Sequence, residues 1–240
     1  MRYAIISDVH SNLEALEAVL EALDSENIDS YLSTGDIVGY GADPSPCIER
    51  IRALDPHIVA GNHDWAVAGS LSLDFFNAYA REAIEWTRGR LGGEEVEWLR
   101  SLKLVKKVGK LTLVHSTLHS PENFDYLLTA YDAHLSLEVL ETPVCFVGHS
   151  HVPVTFAQNG TVTFSFAAEI DLAGVHRAIV NAGSVGQPRD GNPDASFGIY
   201  DSEKNLVHVR RVPYDVGTAT KKIVAAGLPP VLAERLWVGR

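Results

Sequence analysis

Tyr3-Ala4-Ile5-Ile6-Ser7-Asp8-Val9-His10 is a short apolar run that ends on an acid and a histidine. A helix from about Asn12 to Asp24 follows, with Leu13, Leu16, Leu20 and Leu23 recurring at helical spacing. The unit then repeats. Tyr31 to Thr34 reads as a strand ending at Gly35-Asp36, and Pro44-Ser45-Pro46 introduces a helix through about Leu54. Ile58 to Ala60 is a third strand, ending at Gly61-Asn62-His63-Asp64. The order β-α-β-α-β is that of a parallel sheet wound with helices, in which ligands gather at the carboxyl ends of the strands.

Further along, Leu73 to about Arg90 reads as one helix, with Phe75-Phe76 as core at helical spacing, and Glu94 to Ser101 as another. Leu104 to Val108 and Leu111 to His115 look like strands paired across Gly109-Lys110. A helix from Tyr131 to Glu141 leads into the strand Val144 to Val147. The chain is then mostly strands: Val154 to Ala157, Thr161 to Phe166, Val175 to Val180, Ser196 to Tyr200 and Val207 to Val212. Asn159-Gly160 between two alternating runs is a hairpin signal. Asp215 to Ala226 and Pro230 to Trp237 read as closing helices, and the apolar segment Leu228 to Val238 is a candidate cover for a partner in a homo-oligomer. No repeat or linker interrupts the chain. The candidate ligands are split between its halves, so a single domain over residues 1–240, built on two packed sheets, is expected.

The formal net charge of −11 weighs against a broad nucleic-acid or anionic-membrane surface. It is compatible with a phosphate ester as substrate, because bound divalent cations reverse the field locally. Of the 2 cysteines, Cys145 lies in an apolar strand-like run as a small buried hydrophobe, and Cys47 follows Pro44-Ser45-Pro46. Neither spacing implies a disulfide or a zinc knuckle. No stretch is long and apolar enough to span a bilayer, and the chain opens into a core strand rather than a signal peptide. A cytoplasmic protein is expected.

Asp8, His10, Asp36, Asn62, His115, His149 and His151 supply the mixed nitrogen and oxygen ligands that suit two first-row divalent metals. All follow predicted strands and therefore point into one crevice. A carboxylate such as Asp36 bridges two metals at roughly 3.5–4 Å, a separation suited to in-line displacement at phosphorus by a bridging hydroxide. Mn²⁺ or Fe fits this ligand set, with Zn²⁺ or Ni²⁺ also compatible. His57, His134, His176 and His208 join no motif and read as structural; His119, close after His115, is either structural or, as the lesser alternative, a substrate contact.

The series Asp8-x-His10, Gly35-Asp36, Gly61-Asn62-His63-Asp64, His115 and Gly148-His149-x-His151 resembles the calcineurin-like metallophosphoesterases, over the span from Asp8 to about Asp190. The resemblance implies a four-layer α/β/β/α sandwich of two mixed sheets. It assigns one metal to Asp8, His10, Asp36 and His151, and the second to Asp36, Asn62, His115 and His149. His63 matches the family's general acid. Protein phosphatases of the family continue the second motif as GDxxDRG, whereas Gly39-Tyr40-Gly41 stands here, so the phosphate-binding Arg and the Asp that orients the histidine are absent. Asn181 to Asp190 is similar to the NPGSVGQPRDG stretch of small bacterial and archaeal members, a mixed group of phosphodiesterases and nucleotide hydrolases.

The expected activity is therefore hydrolysis of a small, nucleotide-like phosphorylated substrate, dinucleoside polyphosphates included. A serine/threonine-type protein phosphatase and a non-catalytic scaffold are the alternatives. A DNA nuclease, or any stable nucleic-acid complex, is disfavoured by the acidic balance. Tyr40 either stacks on a nucleobase or packs against the rim. Arg189 either contacts phosphate or pairs with Asp190 or Asp194.

Overall fold

In β1 (Arg2–Ile6), Ala4 and Ile6 face one apolar cluster and Ile5 faces another. Side chains alternate across a strand, so a strand with both faces buried has to be covered on both sides. The computed structural model, which describes all 240 residues, satisfies this with four layers.

The first sheet runs in the order β3 (His57–Ile58), β2 (Ser30–Ser33), β1, β11 (Ala195–Asp201), β12 (Leu206–Val212) and β9 (Glu169–Asp171). β1, β2 and β3 are parallel, and the remaining neighbours pair antiparallel. The second sheet runs β4 (Val105–Val108), β5 (Leu111–Val114), β6 (Val144–Val147), β10 (Arg177–Asn181), β7 (Val154–Asn159) and β8 (Thr161–Ser165). There β5, β6 and β10 are parallel.

Ile5, Leu32, Leu113, Phe146, Val180 and Tyr200 meet between the sheets. The outer face of the first sheet is covered by α1 (Leu13–Leu23), α2 (Pro44–Ala53), α4 (Ala78–Arg88), α5 (Gly93–Ser101), α7 (Val216–Ala225) and α8 (Pro230–Val238), with Leu16, Ile51, Ile84, Leu99 and Ile223 in that core. The outer face of the second is covered by α6 (Ala130–Val139), which packs on β7, β8 and β10. Cys145 is buried in that outer core and Cys47 under the helices of the first sheet; both thiols are free.

Several elements differ from expectation. The helix expected from Leu73 is broken: Leu73–Phe75 is a 3₁₀ turn, Phe76 is extended, and Asn77 caps α4 by accepting from the Ala80 amide at 3.0 Å. Phe75 is accordingly 82% exposed rather than part of the core, while Phe76 is buried. A short helix, α3 (Asn62–Val67), begins inside the Gly61-Asn62-His63-Asp64 motif. β9, whose only buried side chain is Ile170, carries too little pattern to be seen in sequence. Leu228, Leu232 and Leu236 are buried against the protein's own helices, so most of the apolar face assigned to a partner is already covered, leaving Trp237 and Val238 exposed. No helix is long and apolar enough to cross a membrane.

Candidate metal centre and active site

Asp8 and His10 lie just beyond β1, Asp36 beyond β2, Asn62 at the start of α3, His115 beyond β5, and His149 and His151 beyond β6. Eleven non-glycine residues have left-handed backbone, and Asp8, His10, Asp36, His149 and His151 are among them. Such conformations cost free energy and persist where the surrounding structure enforces them, so their concentration here marks a functional edge. Gly148 permits a close approach between the two sheet edges: a Cβ there would fall 2.1 Å from Ser7 Oγ and 2.5 Å from Asp8 Oδ2.

The side chains form two groups. In the first, His10 Nε2 lies 3.1 Å from His151 Nε2, and His151 Nε2 lies 3.3 Å from Asp8 Oδ1. In the second, His115 Nε2 lies 3.3 Å from Asp36 Oδ2 and 3.2 Å from Asn62 Oδ1, with His149 close by. Asp36 Oδ2 is also 3.6 Å from His10 Nε2, so one carboxylate oxygen touches both groups. Ligands on a shared cation at about 2.0–2.2 Å stand about 3–4 Å from one another, which these separations match.

The tautomers fit as well. His10 Nδ1 donates to the Val38 carbonyl at 3.1 Å, His115 Nδ1 to the Thr34 carbonyl at 2.7 Å, and His151 Nδ1 to the Gln187 carbonyl at 2.6 Å. A carbonyl only accepts, so each neutral ring keeps its Nε2 lone pair for a cation. Burial holds His10 and His151 below the usual histidine value and takes His149 down to about 3. Burial opposes charge on His115 too, but the Asp36 and Asp8 carboxylates beside it lift it to about 9. Asp8 and Asp36 are themselves fully buried with no lysine or arginine in an ion pair. Such a set of carboxylates and imidazole lone pairs requires positive charge, and the residues present fit divalent metals.

Residues outside the expected set hold these groups in place. Ser7 Oγ donates to Asp8 Oδ2 at 2.5 Å, and Thr34 Oγ1 donates to Ser7 Oγ at 2.6 Å. Asn181 Nδ2 donates to the Gly148 carbonyl at 2.7 Å and to Ser150 Oγ at 3.0 Å, tying down the loop that carries His149. Asp64 accepts from the amides of Asp36, Ile37, Val38 and Gly61, and so clamps the Asp36 loop rather than orienting His63. Each of these residues sits in or beside a quoted motif, but nothing in that placement says which group it holds.

The His63 ring is positioned without a carboxylate bonded to it. Its amide donates to Asp36 Oδ1 at 2.8 Å, and its ring packs between Tyr40 (4.4 Å), His10 (4.9 Å) and Phe76 (5.2 Å). Its Nδ1 is buried without a hydrogen-bond partner and lies over Gly39, where a Cβ would come within 2.5 Å. Burial, only partly offset by Asp36, takes its pKa down to about 4.

Tyr40 is 7% exposed and packs on His10 and His63, the rim-packing alternative. Arg189 does not pair with Asp190, which bonds Arg211 instead, nor with Asp194. Its guanidinium donates to Gln187 Oε1 at 2.8 Å and stands 5.7 Å over the Tyr40 ring. Both residues line a cavity of about 400 Å³ that opens from Asp36, His63, His149 and His151. His119 is bonded to Ser136 and takes no part in the cavity lining. His134 and His208 face Glu138 and Glu169 away from the site.

A family model for the calcineurin-like phosphoesterase superfamily domain matches residues 1–205. An uncharacterized protein of Methanocaldococcus jannaschii is 41% identical over 99% of this chain and 98% of its own length. The crystal structure of a metallophosphoesterase from Sphaerobacter thermophilus superposes with a TM-score of 0.90 at 41% identity, covering 100% of this chain and 99% of that one. Phosphodiesterase YfcE of Escherichia coli strain K12 is 26% identical over 85% of this chain and 89% of its own length.

Proposed function

Because the chain belongs to the calcineurin-like phosphoesterase superfamily, we propose that it is a dinuclear-metal-dependent phosphodiesterase acting on small, nucleotide-like esters. The observation that carries the reading is the position of Asp36 Oδ2, 3.6 Å from His10 Nε2 and 3.3 Å from His115 Nε2. One metal would be held by Asp8, His10, His151 and Asp36 and the other by Asp36, Asn62, His115 and His149, with Mn²⁺ or Fe as the favoured ions. A bound pair supplies Lewis acidity toward the phosphoryl oxygens and acidifies water.

The chain's own residues do the rest. Arg189, placed over the Tyr40 ring and tethered through Gln187, offers the rest of its guanidinium to the phosphoryl oxygens. His63 gives its proton to the leaving oxygen. Its lowered pKa leaves the ring neutral near pH 7, so it takes up that proton only with an anionic ester against it. Tyr40 packs on both His63 and His10, which keeps the acid in register with the metal ligands. The diesterase assignment rather than protein phosphatase draws on the Gly39-Tyr40-Gly41 loop, which lacks that class's Arg and Asp, and on the kinship with phosphodiesterase YfcE.

The test is a matrix of metal-stripped protein reloaded with Mn²⁺, Fe²⁺, Ni²⁺, Zn²⁺ or Mg²⁺ against bis-p-nitrophenyl phosphate, p-nitrophenyl phosphate, cyclic nucleotides and phosphopeptides. Diester hydrolysis is expected to exceed the others, and Asp36→Asn is expected to abolish it. Phosphopeptide activity above diester activity, or wild-type turnover by loaded Asp36→Asn, overturns the reading.

A further inference from the structure

The cavity of about 400 Å³ has two chemically different halves. Its inner end is Asp36, Asn62, His63, His149 and His151, with Arg189 to one side. Its outer wall is built by two segments that belong to no motif: the break before α4, with Phe75, Phe76 and Asn77, and the loop from Glu122 to Tyr126.

The outer wall is aromatic and anchored to the inner end. Phe76 packs edge-on against His63 at 5.2 Å, Tyr126 stacks on His149 at 4.2 Å, and Phe124 packs on His115 at 6.1 Å. Two of the aromatic rings at this wall remain in water: Phe75 is 82% exposed and Tyr126 49%. Exposed rings at the mouth of a cavity gain free energy when a flat apolar group covers them. Charge divides the cavity in the same way. Arg189 is the one cationic side chain of the lining, and it stands beside the inner end; Glu122 and Asp125 are on the outer wall, where they repel any further anion.

We propose that the outer half is a subsite for a planar aromatic ester arm of a singly charged phosphodiester. Phe75 and Tyr126 are its specificity-determining residues, and Glu122 and Asp125 reject arms that carry more phosphate. Asn77 and Asn123 supply the amides that hydrogen-bond the edge of the arm. The subsite rests on the phosphoesterase reading and narrows it, removing dinucleoside polyphosphates from the favoured substrates.

The experiment compares two monoanionic diesters with one leaving group, thymidine 5′-(p-nitrophenyl phosphate) and methyl p-nitrophenyl phosphate, on the metal-loaded protein. Aromatic stacking predicts a kcat/KM about tenfold or more higher for the aromatic arm, carried by KM. Phe75→Ala brings the ratio toward one, and Phe75→Trp retains it. Bis-p-nitrophenyl phosphate separates the sources: an equal gain assigns the subsite to any flat arm, and a gain with the nucleoside alone assigns it to base-edge recognition. Glu122→Gln with Asp125→Asn raises the relative rate on diadenosine tetraphosphate. A wild-type ratio near one, or a ratio untouched by Phe75→Ala, overturns the proposal. Calorimetric binding of methyl(phenyl)phosphinate against dimethylphosphinate, both monoanions with two P–C bonds and no ester to cleave, decides the subsite independently of turnover. Tighter phenyl binding that Phe75→Ala removes upholds it even where no ester is hydrolysed and the catalytic reading falls; equal binding of the two overturns it.

Discussion

The Nε2 atoms of His10 and His151 stand 3.1 Å apart, and in the neutral rings neither carries a hydrogen, because each Nδ1–H is committed to a backbone carbonyl. Two lone pairs aimed at one point beside the Asp8 carboxylate repel unless a cation lies among them. Binding of divalent ions should therefore contribute to stability. At a free-ion concentration of 100 times Kd the linkage is worth about 2.7 kcal/mol. For a domain of this size that corresponds to about 5–10 °C in Tm. Thermal melting followed by circular dichroism, after chelation and again with saturating Mn²⁺, reads the difference. Coincident melting curves would remove the premise of a metal centre.

Asp64 accepts four backbone amides, two on each oxygen: Asp36 and Gly61 on Oδ2, Ile37 and Val38 on Oδ1. An asparagine at this position, in either amide orientation, turns an NH₂ toward two buried N–H donors. The expected cost of Asp64→Asn is about 3 kcal/mol or more, from two unsatisfied buried amides. Urea unfolding measures it. The Asp36 loop is the one being held, so metal content and turnover should fall together with stability, and a variant as stable as the wild type would show that the clamp is dispensable.

The strand-end residues were legible because each is a polar group placed immediately after an apolar run, a pattern that local sequence carries in full. Asp8, Asp36 and His149 follow β1, β2 and β6, and all lie at the site. The parallel start of the first sheet was legible for the same reason. What local sequence does not carry is pairing over distance: β11 inserts between β1 and β12, and β9 joins the edge through three residues with one buried side chain. The cavity wall was misread for a related reason. Leu73 to Arg90 has helical periodicity throughout, but the Asn77 cap outcompetes it locally and turns Phe75 out to solvent. The alternatives for Arg189 stayed open in the sequence because the partner that takes its neighbour Asp190 is Arg211 of β12, distant along the chain.

Gly39 has φ +94°, and an added Cβ would lie 2.5 Å from His63 Nδ1. Gly39→Ala should therefore displace the His63 ring while leaving the ligand set in place. Its signature should match that of His63→Ala: larger losses in kcat for diesters with alkoxide leaving groups than for p-nitrophenyl esters, by about 10²-fold or more, the usual scale of general acid catalysis. Rate profiles across a leaving-group series on the loaded variants test this. Equal losses at every leaving-group pKa would argue against His63 as the acid.

The buried histidines contribute to the pH dependence of the metal-free protein's stability. Burial lowers His63 to about 4 and His149 to about 3, both below the unfolded value of 6.5. Between those limits the unfolded chain binds protons that the folded one refuses, so the stability these groups contribute is complete above pH 6.5 and is lost as pH falls. His115 has the opposite sign. Asp36 raises it to about 9 against the pull of burial, so its contribution is complete below pH 6.5 and is lost as pH rises through 9. With chelator present, the urea midpoint should fall on both sides of neutrality. His63→Gln should flatten the acid limb by up to about 3 kcal/mol between pH 6.5 and 4, the free-energy equivalent of its shift. An acid limb as steep as that of the wild type would mean that proton uptake at His63 is not what destabilises the fold.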